Sequence, residues 1–129
     1  LVPRLGFAAW NKAAFDGKSL NDVVKALGGS AVEKSGDIAI TAPDIAENGA
    51  VVPIAVASKI AGTQSIAILV EKNPYALSAQ FDIPAGTEAN VGTRVKMGQS
   101  SNVHAVVKAN GKYYVATKEV KVTLGGCGG

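Results

Sequence analysis

The chain has 129 residues, enough for one domain with a hydrophobic core, and only one Trp, three Tyr and three Phe contribute aromatic surface to it. A net charge of +3, carried by scattered lysines without a basic run, argues against a nucleic-acid partner. The longest apolar run, residues 50–57, contains Pro53 and is too short to cross a membrane. One His and one Cys cannot supply a zinc site, so we expect neither a metal nor a cofactor.

The two ends of the chain are set apart from the predicted domain, which covers residues 5–124. Residues 1–4, Leu-Val-Pro-Arg, read as the remnant of a thrombin recognition site from an expression vector. No signal peptide is visible, which leaves either a cytosolic protein or a secreted protein whose leader has been removed. A single cysteine is compatible with both redox compartments.

Residues 7–28 are predicted to be helical. A first apolar stripe at i, i+3 and i+7 consists of Phe7, Trp10 and Ala14. A second stripe, with the spacing i, i+3, i+4 and i+7, consists of Leu20, Val23, Val24 and Leu27. Gly28 and Gly29 follow it and favour a helix end there. Both stripes are more typical of packing against a core than of a ligand site.

From residue 37 to residue 124 the apolar period becomes two, which is typical of β-strands. The predicted strands cover residues 38–40, 52–56, 66–70, 75–83, 91–97, 103–107 and 113–124. Pro53 predicts an edge strand or a bulge, and Asn48-Gly49 marks a turn. Asn110-Gly111 predicts a hairpin with a type I′ turn. About seven short strands favour a mainly β fold, an antiparallel β-sandwich that is immunoglobulin-like in outline.

The chain ends in five residues that contain its only cysteine: Gly125, Gly126, Cys127, Gly128 and Gly129. Glycine has no Cβ and little backbone restriction, so these residues are predicted to form a thin, flexible arm. Structural cysteines are usually buried, and a single thiol cannot close an intrachain disulfide. We therefore interpret Cys127 as a tethered thiol that carries a chemical group into other proteins.

A catalytic pair of Cys127 with His104, the only histidine, is conceivable. Strand alternation places His104 opposite to Val103 and Ala105, which predicts a solvated ring rather than a catalytic base. The glycines around Cys127 offer nothing that would activate the thiol. The cysteine is therefore predicted to be a point of attachment, activated by whichever site receives it, and we expect the protein not to be an enzyme.

The glycine-flanked cysteine and several segments before it resemble the SoxY family of the bacterial sulfur-oxidising (Sox) system. Those segments are PDIAENGAVVP at residues 43–53, NP at 73–74, TRVKM at 93–97 and VKVT at 120–123. The similarity extends over about residues 37–129, and the N-terminal part is compatible but less distinctive. No position within the terminal motif departs from the family pattern.

The resemblance implies a periplasmic carrier, exported behind a leader that is then removed, which holds thiosulfate-derived intermediates covalently on Cys127. It implies a SoxZ-like subunit as partner and transient contacts with separate enzymes. SoxAX, a haem enzyme, joins thiosulfate oxidatively to the thiol as a cysteine S-thiosulfonate, and SoxB then releases sulfate by hydrolysis. In some organisms a sulfane dehydrogenase oxidises the remaining sulfur. Cargo and partners rest on the resemblance alone.

Two other interpretations of the tail stay open. A ubiquitin-like carrier would use a C-terminal Gly-Gly carboxylate as a thiocarboxylate, although seven strands after two helices do not suit that fold. A structural immunoglobulin-like module would use Cys127 for an intermolecular disulfide. Whatever the role of the tail, apolar strand faces with few charges predict that the isolated chain associates with a second subunit, and we expect that subunit to be SoxZ-like.

Deletion of residues 125–129 should barely change the melting temperature, because the strand alternation ends at Leu124 and a glycine-rich tail buries little apolar area. Thermal unfolding of the full-length and shortened chains, followed by circular dichroism, checks this. A decrease of many degrees would show that the tail packs against the domain and would contradict the free-arm interpretation.

Overall fold

The computed structural model describes residues 32–73 and 76–123, and all the regular secondary structure in these ranges is β-strand. The predicted helices at 7–28, Leu124 and the glycine-rich tail lie outside the described residues. The strands are β1 (Val32–Lys34), β2 (Ile38–Thr41), β3 (Ile45–Ala46), β4 (Val52–Ser58), β5 (Thr63–Val70), β6 (Leu77–Asp82), β7 (Asn90–Val95), β8 (Ser101–Ala109) and β9 (Lys112–Val122).

The strands form two sheets packed face to face, which confirms the predicted mainly β, immunoglobulin-like sandwich. The large sheet has the order β1-β9-β8-β5-β6, and the small sheet has the order β2-β4-β7. Most neighbours are antiparallel, as predicted. The exceptions are β1 and β3, which both run parallel to β9 along its outer edge. The nine strands exceed the predicted seven because these two short strands were not expected.

The main core lies between the two sheets, where alternate side chains of each strand meet. Its central members are at most 2% exposed and are Val52, Ile54, Val56, Ile66, Ile68, Val70, Val103, Ala105 and Val107. Burying one valine, isoleucine or leucine side chain contributes about 1.5–3 kcal/mol to folding, so this layer is the main source of stability. The predicted faces of β4, β5 and β8 are therefore confirmed.

The large sheet is also buried on its outer face, which the alternation alone did not indicate. A second cluster there includes Ala67, Leu69, Val106, Tyr113 and Val115, and none of these is more than 6% exposed. Strands β5 and β8 thus carry apolar residues on both faces, as strands in the middle of a layered fold do.

Strand β6 changes face at a bulge, contrary to the prediction that its apolar residues share one side. Ile68 pairs with Ala79, but Leu69 pairs with Leu77, so one extra residue of β6 lies between the two pairs. Leu77 therefore joins the outer cluster, whereas Ala79 packs against the main core. A one-residue shift of register exchanges the two faces of a strand.

The prediction for Pro53 was wrong for the strand as a whole, because β4 is the central strand of the small sheet. Pairing between β2 and β4 ends at Thr41 opposite Ala55, so β2 does not extend as far as Pro53. Pro53 pairs only with Arg94 of β7, where the sheet is two strands wide. A proline is tolerated there because it lacks only an N–H that no neighbouring strand requires.

The hairpin between β8 and β9 confirms the predicted type I′ turn. Asn110 and Gly111 have φ angles of 53° and 76°, the positive values that this turn requires at both central positions. The Asn110 side-chain amide also donates to the carbonyl oxygen of Ala61 at 2.9 Å. That bond ties the hairpin to the turn between β4 and β5.

Candidate functional site

The candidate site is the segment that contains Cys127 and its flanking glycines, which lie outside the described residues. The described part of the site is the end of β9, from which that segment follows. We call the end of the sandwich where Gly49, Met97 and Val122 meet the root end. Its geometry determines where the thiol is tethered and how far it reaches.

The last two residues of β9 and the residue that follows them are fixed by three consecutive backbone N–H groups. Each donates to a different partner: Lys121 to the carbonyl oxygen of Asp44 at 2.9 Å, Val122 to Ser100 Oγ at 2.8 Å, and Thr123 to the carbonyl oxygen of Ala46 at 3.0 Å. Backbone donors that are paired in this way resist fraying. The tether therefore has a well-defined origin at Thr123, two residues before Gly125, the first residue of the predicted arm.

Gly49 allows three segments to approach one another closely at the root end. Its carbonyl oxygen accepts a hydrogen bond from the Met97 N–H at 2.6 Å. A Cβ at this position would collide with the Met97 carbonyl oxygen and would lie 3.0 Å from Cγ1 of Val122. Because a backbone atom cannot move aside as a flexible side chain can, only glycine fits here.

An ion pair also holds the segment before β3 against β9. Lys118 Nζ lies 2.6 Å from Asp44 Oδ1, and this hydrogen-bonded cation holds the pKa of the Asp44 carboxyl below its usual value. The stabilisation is thus present above the ordinary aspartate pKa and is lost as pH falls through the lowered one. The Asp44 side chain is 89% exposed, so this surface pair is of secondary importance to the backbone bonds.

His104 is buried, and the prediction of a solvated ring was wrong. It is 6% exposed, with Nδ1 2.8 Å from Thr117 Oγ1 and Nε2 2.9 Å from Glu71 Oε1. His104 pairs directly with Leu69, so it lies on the outer face of the large sheet, beside the second apolar cluster. Apolar residues at Leu69 and Val106, on the same face, were the available signal that this face is covered.

The geometry does not favour a catalytic pair of His104 with Cys127. His104 lies opposite Thr117, and the six residues from Thr117 to Thr123 extend about 20 Å along β9. Four further residues to Cys127 can return about 14 Å at most when fully extended. Both ring nitrogens of His104 are already bonded to other side chains. Glu71, His104 and Thr117 are better explained as a set of mutually hydrogen-bonded side chains on the outer face of the large sheet.

Comparison with known proteins decides the family. A family model described as sulfur oxidation protein SoxY matches residues 23–127, which includes the cysteine. The solved structure of the sulfur carrier protein SoxY from Chlorobium limicola f thiosulfatophilum is 38% identical, covers 81% of this chain and 94% of its own, and has a TM-score of 0.73. The chain belongs to the SoxY family.

Other comparisons are more distant. A chain from a solved structure that concerns T cell specificity and activation by the bacterial superantigen toxic shock syndrome toxin-1 is 12% identical with a TM-score of 0.46, over 67% of this chain and 99% of its own. The human F-spondin reeler domain is 11% identical with a TM-score of 0.45, over 74% of this chain and 95% of its own. No curated protein matches the chain.

The segments that suggested SoxY in the sequence converge at the root end. Residues 43–53 contain β3 and Gly49, residues 93–97 lead to Met97, and residues 120–123 form the anchored end of β9. Asn73 joins them, because its side-chain amide donates to the carbonyl oxygen of Lys96 at 2.6 Å. The segments that carry the resemblance to SoxY therefore lie together around the anchored end of β9, from which the tether follows.

Two features are absent from the described part of the chain. Within residues 32–73 and 76–123, no group of three or more His, Cys, Asp or Glu side chains is placed to hold a metal ion. In the same ranges, no helix has the length and apolar character needed to cross a membrane.

Gly49→Ala should destabilise the protein by about 1–3 kcal/mol, since the new methyl group must displace the Met97 backbone. Gly98→Ala is the matched control, because a Cβ there has no neighbour within 4 Å, and its effect should stay within about 0.5 kcal/mol. Urea unfolding of both variants measures the difference. Equal stabilities would show that the root end is loosely packed.

Proposed function

We propose that this SoxY-family protein is a covalent carrier, which holds thiosulfate-derived intermediates on Cys127 and presents them to separate enzymes. The observation that carries the proposal is a sole cysteine flanked by glycines, four residues beyond Thr123, where three consecutive hydrogen bonds fix the end of β9 and the residue that follows it. The SoxY of Chlorobium is described as a sulfur carrier protein, which supports the same role here. The proposal is of a carrier rather than an enzyme, and the hydrogen bonds of both His104 ring nitrogens to Thr117 and Glu71 support it, because they leave neither nitrogen free to act as a base for Cys127.

The tether geometry suits delivery into a narrow channel. Four residues beyond Thr123 place the thiol up to about 14 Å from the sandwich. Gly125 and Gly126 add no side chains before the cysteine, so the approach stays as narrow as a bare backbone. The fixed root limits the search to one end of the molecule, while the glycines allow the sulfur to turn toward the reacting group.

The proposed loading and hydrolysis steps balance in atoms and electrons. When the Cys127 thiolate joins the outer sulfur of thiosulfate, an S–S bond forms and two electrons leave, which the haem enzyme SoxAX accepts. Hydrolysis by SoxB then cleaves the bond between the outer sulfur and the sulfonate sulfur, so that water supplies one sulfate oxygen and a persulfide stays on the cysteine. A sulfane dehydrogenase, where present, would oxidise that persulfide sulfur.

The proposal includes a partner and a compartment. A SoxZ-like subunit is the expected stable partner, and SoxAX, SoxB and the sulfane dehydrogenase are transient ones. Membership of the SoxY family supports a Sox-type assembly. The periplasm is the proposed compartment, where thiosulfate and the haem enzyme would meet the exposed thiol.

Cys127→Ser should abolish loading, because a hydroxyl is a far weaker nucleophile than a thiolate and forms no bond to sulfane sulfur. Wild type and variant would be incubated with SoxAX, thiosulfate and an electron acceptor, and the intact mass of each protein would then be measured by mass spectrometry. The wild type should gain a thiosulfonate and the variant nothing. A thiosulfonate on the variant would place the attachment elsewhere.

Gly126→Val should separate delivery from chemistry. The β-branched side chain stiffens and widens the arm but leaves the thiol intact. Labelling by a small maleimide should match the wild type, whereas SoxAX-dependent loading should fall by on the order of a hundredfold, since a displacement of about 1 Å has that cost. Gly36→Val, outside the arm, is the control and should load normally. Equal loading of Gly126→Val and wild type would mean that the glycines serve only as slack.

A further inference from the structure

The outer face of the small sheet contains a groove that the carrier function does not explain. Its volume is about 620 Å³, and it crosses all three strands near the root end. The residues that shape it are Thr41, Pro43, Pro53, Ala55, Gly92 and Arg94. The groove exists because Ile54 and its inward neighbours are buried in the core, while the outward positions between them carry small side chains. A Cβ at Gly92 would meet nothing within 4 Å, so the groove is unoccupied above this residue.

Among the described residues that line this groove, Arg94 is the only charged one. Within residues 32–73 and 76–123, its guanidinium has no hydrogen-bond or ion-pair partner, whereas Lys118 is paired with Asp44. A guanidinium is always protonated and presents parallel donors that match an anion with several oxygens. The proline rings of Pro43 and Pro53 offer apolar surface beside it. Together these features fit a sulfonate group joined to a short sulfur chain.

The groove lies within reach of the cysteine. The Thr123 N–H is bonded to the carbonyl oxygen of Ala46, and Pro43 precedes Ala46 by three residues, which corresponds to about 10 Å at most. On the other side, Gly49 contacts both Val122 and Met97, and Arg94 lies three residues, again about 10 Å, before Met97. Four residues from Thr123 to Cys127 can reach at most about 14 Å when fully extended, which is enough for the loaded sulfur to enter the groove while Thr123 stays anchored.

We propose that the groove is a resting site for the loaded arm, in which Arg94 binds the sulfonate of the group on Cys127. The proposal rests on the proposed carrier function, because the cargo supplies the negative charge. Docking depends on the group that Cys127 carries, because only the loaded cysteine has a sulfonate whose oxygens can accept hydrogen bonds from the guanidinium. In the docked state the S–S bond lies against the protein surface and is shielded from attack by free thiols.

The test loads Cys127 of the whole chain with a synthetic sulfonate, so no Sox enzyme is needed. 2-Sulfonatoethyl methanethiosulfonate forms a disulfide with the thiol and releases methanesulfinate, and the trimethylammonium analogue gives a cationic adduct of similar length. The rate at which dithiothreitol removes each adduct is then measured. The same two adducts on the free peptide Gly-Gly-Cys-Gly-Gly supply the intrinsic rates.

After division by the peptide rates, the sulfonate adduct of the wild type should be released about two- to fivefold more slowly than the cationic one, the range expected of an exposed charge pair. High salt should weaken this protection. Arg94→Gln should abolish it, and Arg94→Lys should restore part of it. Lys59→Gln, at the opposite end of β4, removes an exposed positive charge outside the groove and should leave the protection intact.

A protection ratio that is the same in wild type and Arg94→Gln would overturn the resting site. Equal losses in Arg94→Gln and Lys59→Gln would also overturn it, because they would show an effect of net charge alone. As a second readout, the Arg94 side-chain NMR signal should shift with the sulfonate adduct and not with the cationic one. Neither failure would touch the carrier proposal, which depends on enzymatic loading of Cys127 and is tested separately by mass.

Discussion

The proposed carrier function depends on the anchoring of the chain where β9 ends. The consecutive amides of Lys121, Val122 and Thr123 donate to three different partners, so the chain keeps its position through Thr123. A tether without a fixed origin would spread its cysteine over a much larger volume and lower its effective concentration at a partner's site. The anchoring at the root end therefore confines Cys127 to positions near one end of the sandwich and raises its effective concentration at a partner's site.

This anchoring requires the chain to cross between the sheets. After β1 pairs with β9 the chain enters the small sheet as β2, and it then returns to the edge of β9 as β3. The return brings the carbonyl oxygens of Asp44 and Ala46 to the amides at the end of β9. The same crossing places Pro43 beside the groove on the outer face of the small sheet. The short segment of residues 43–46 thus contributes both to the root end and to the proposed resting site.

Local patterns in the sequence predicted the parts of the fold that local physics decides. The alternation of Val52, Ile54 and Val56 and the Asn110-Gly111 turn were both confirmed, because burial period and positive φ are properties of a few adjacent residues. The candidate cysteine was also evident from the sequence, since its setting is purely local. Membership of the SoxY family then confirmed the resemblance carried by these segments.

What the sequence did not reveal depends on contacts between distant segments. Strands β1 and β3 have three and two residues, too few to show an alternation, and they exist only because β9 offers them an edge. His104 looked solvated because strand period alone does not show that the outer face of the large sheet is covered. Asn48-Gly49 marked a turn, but the close approach of the Met97 backbone that requires Gly49 is a tertiary contact.

The most direct test of the account is the mass of the protein purified, without reductant, from thiosulfate-oxidising cells that produce it. The account predicts sulfane or thiosulfonate additions on the peptide that contains Cys127, and a thiol reductant should remove them. Additions that persist after reduction would favour a thiocarboxylate at the chain end, and an adduct-free disulfide dimer would favour a structural module. Either result would contradict a carrier thiol at Cys127.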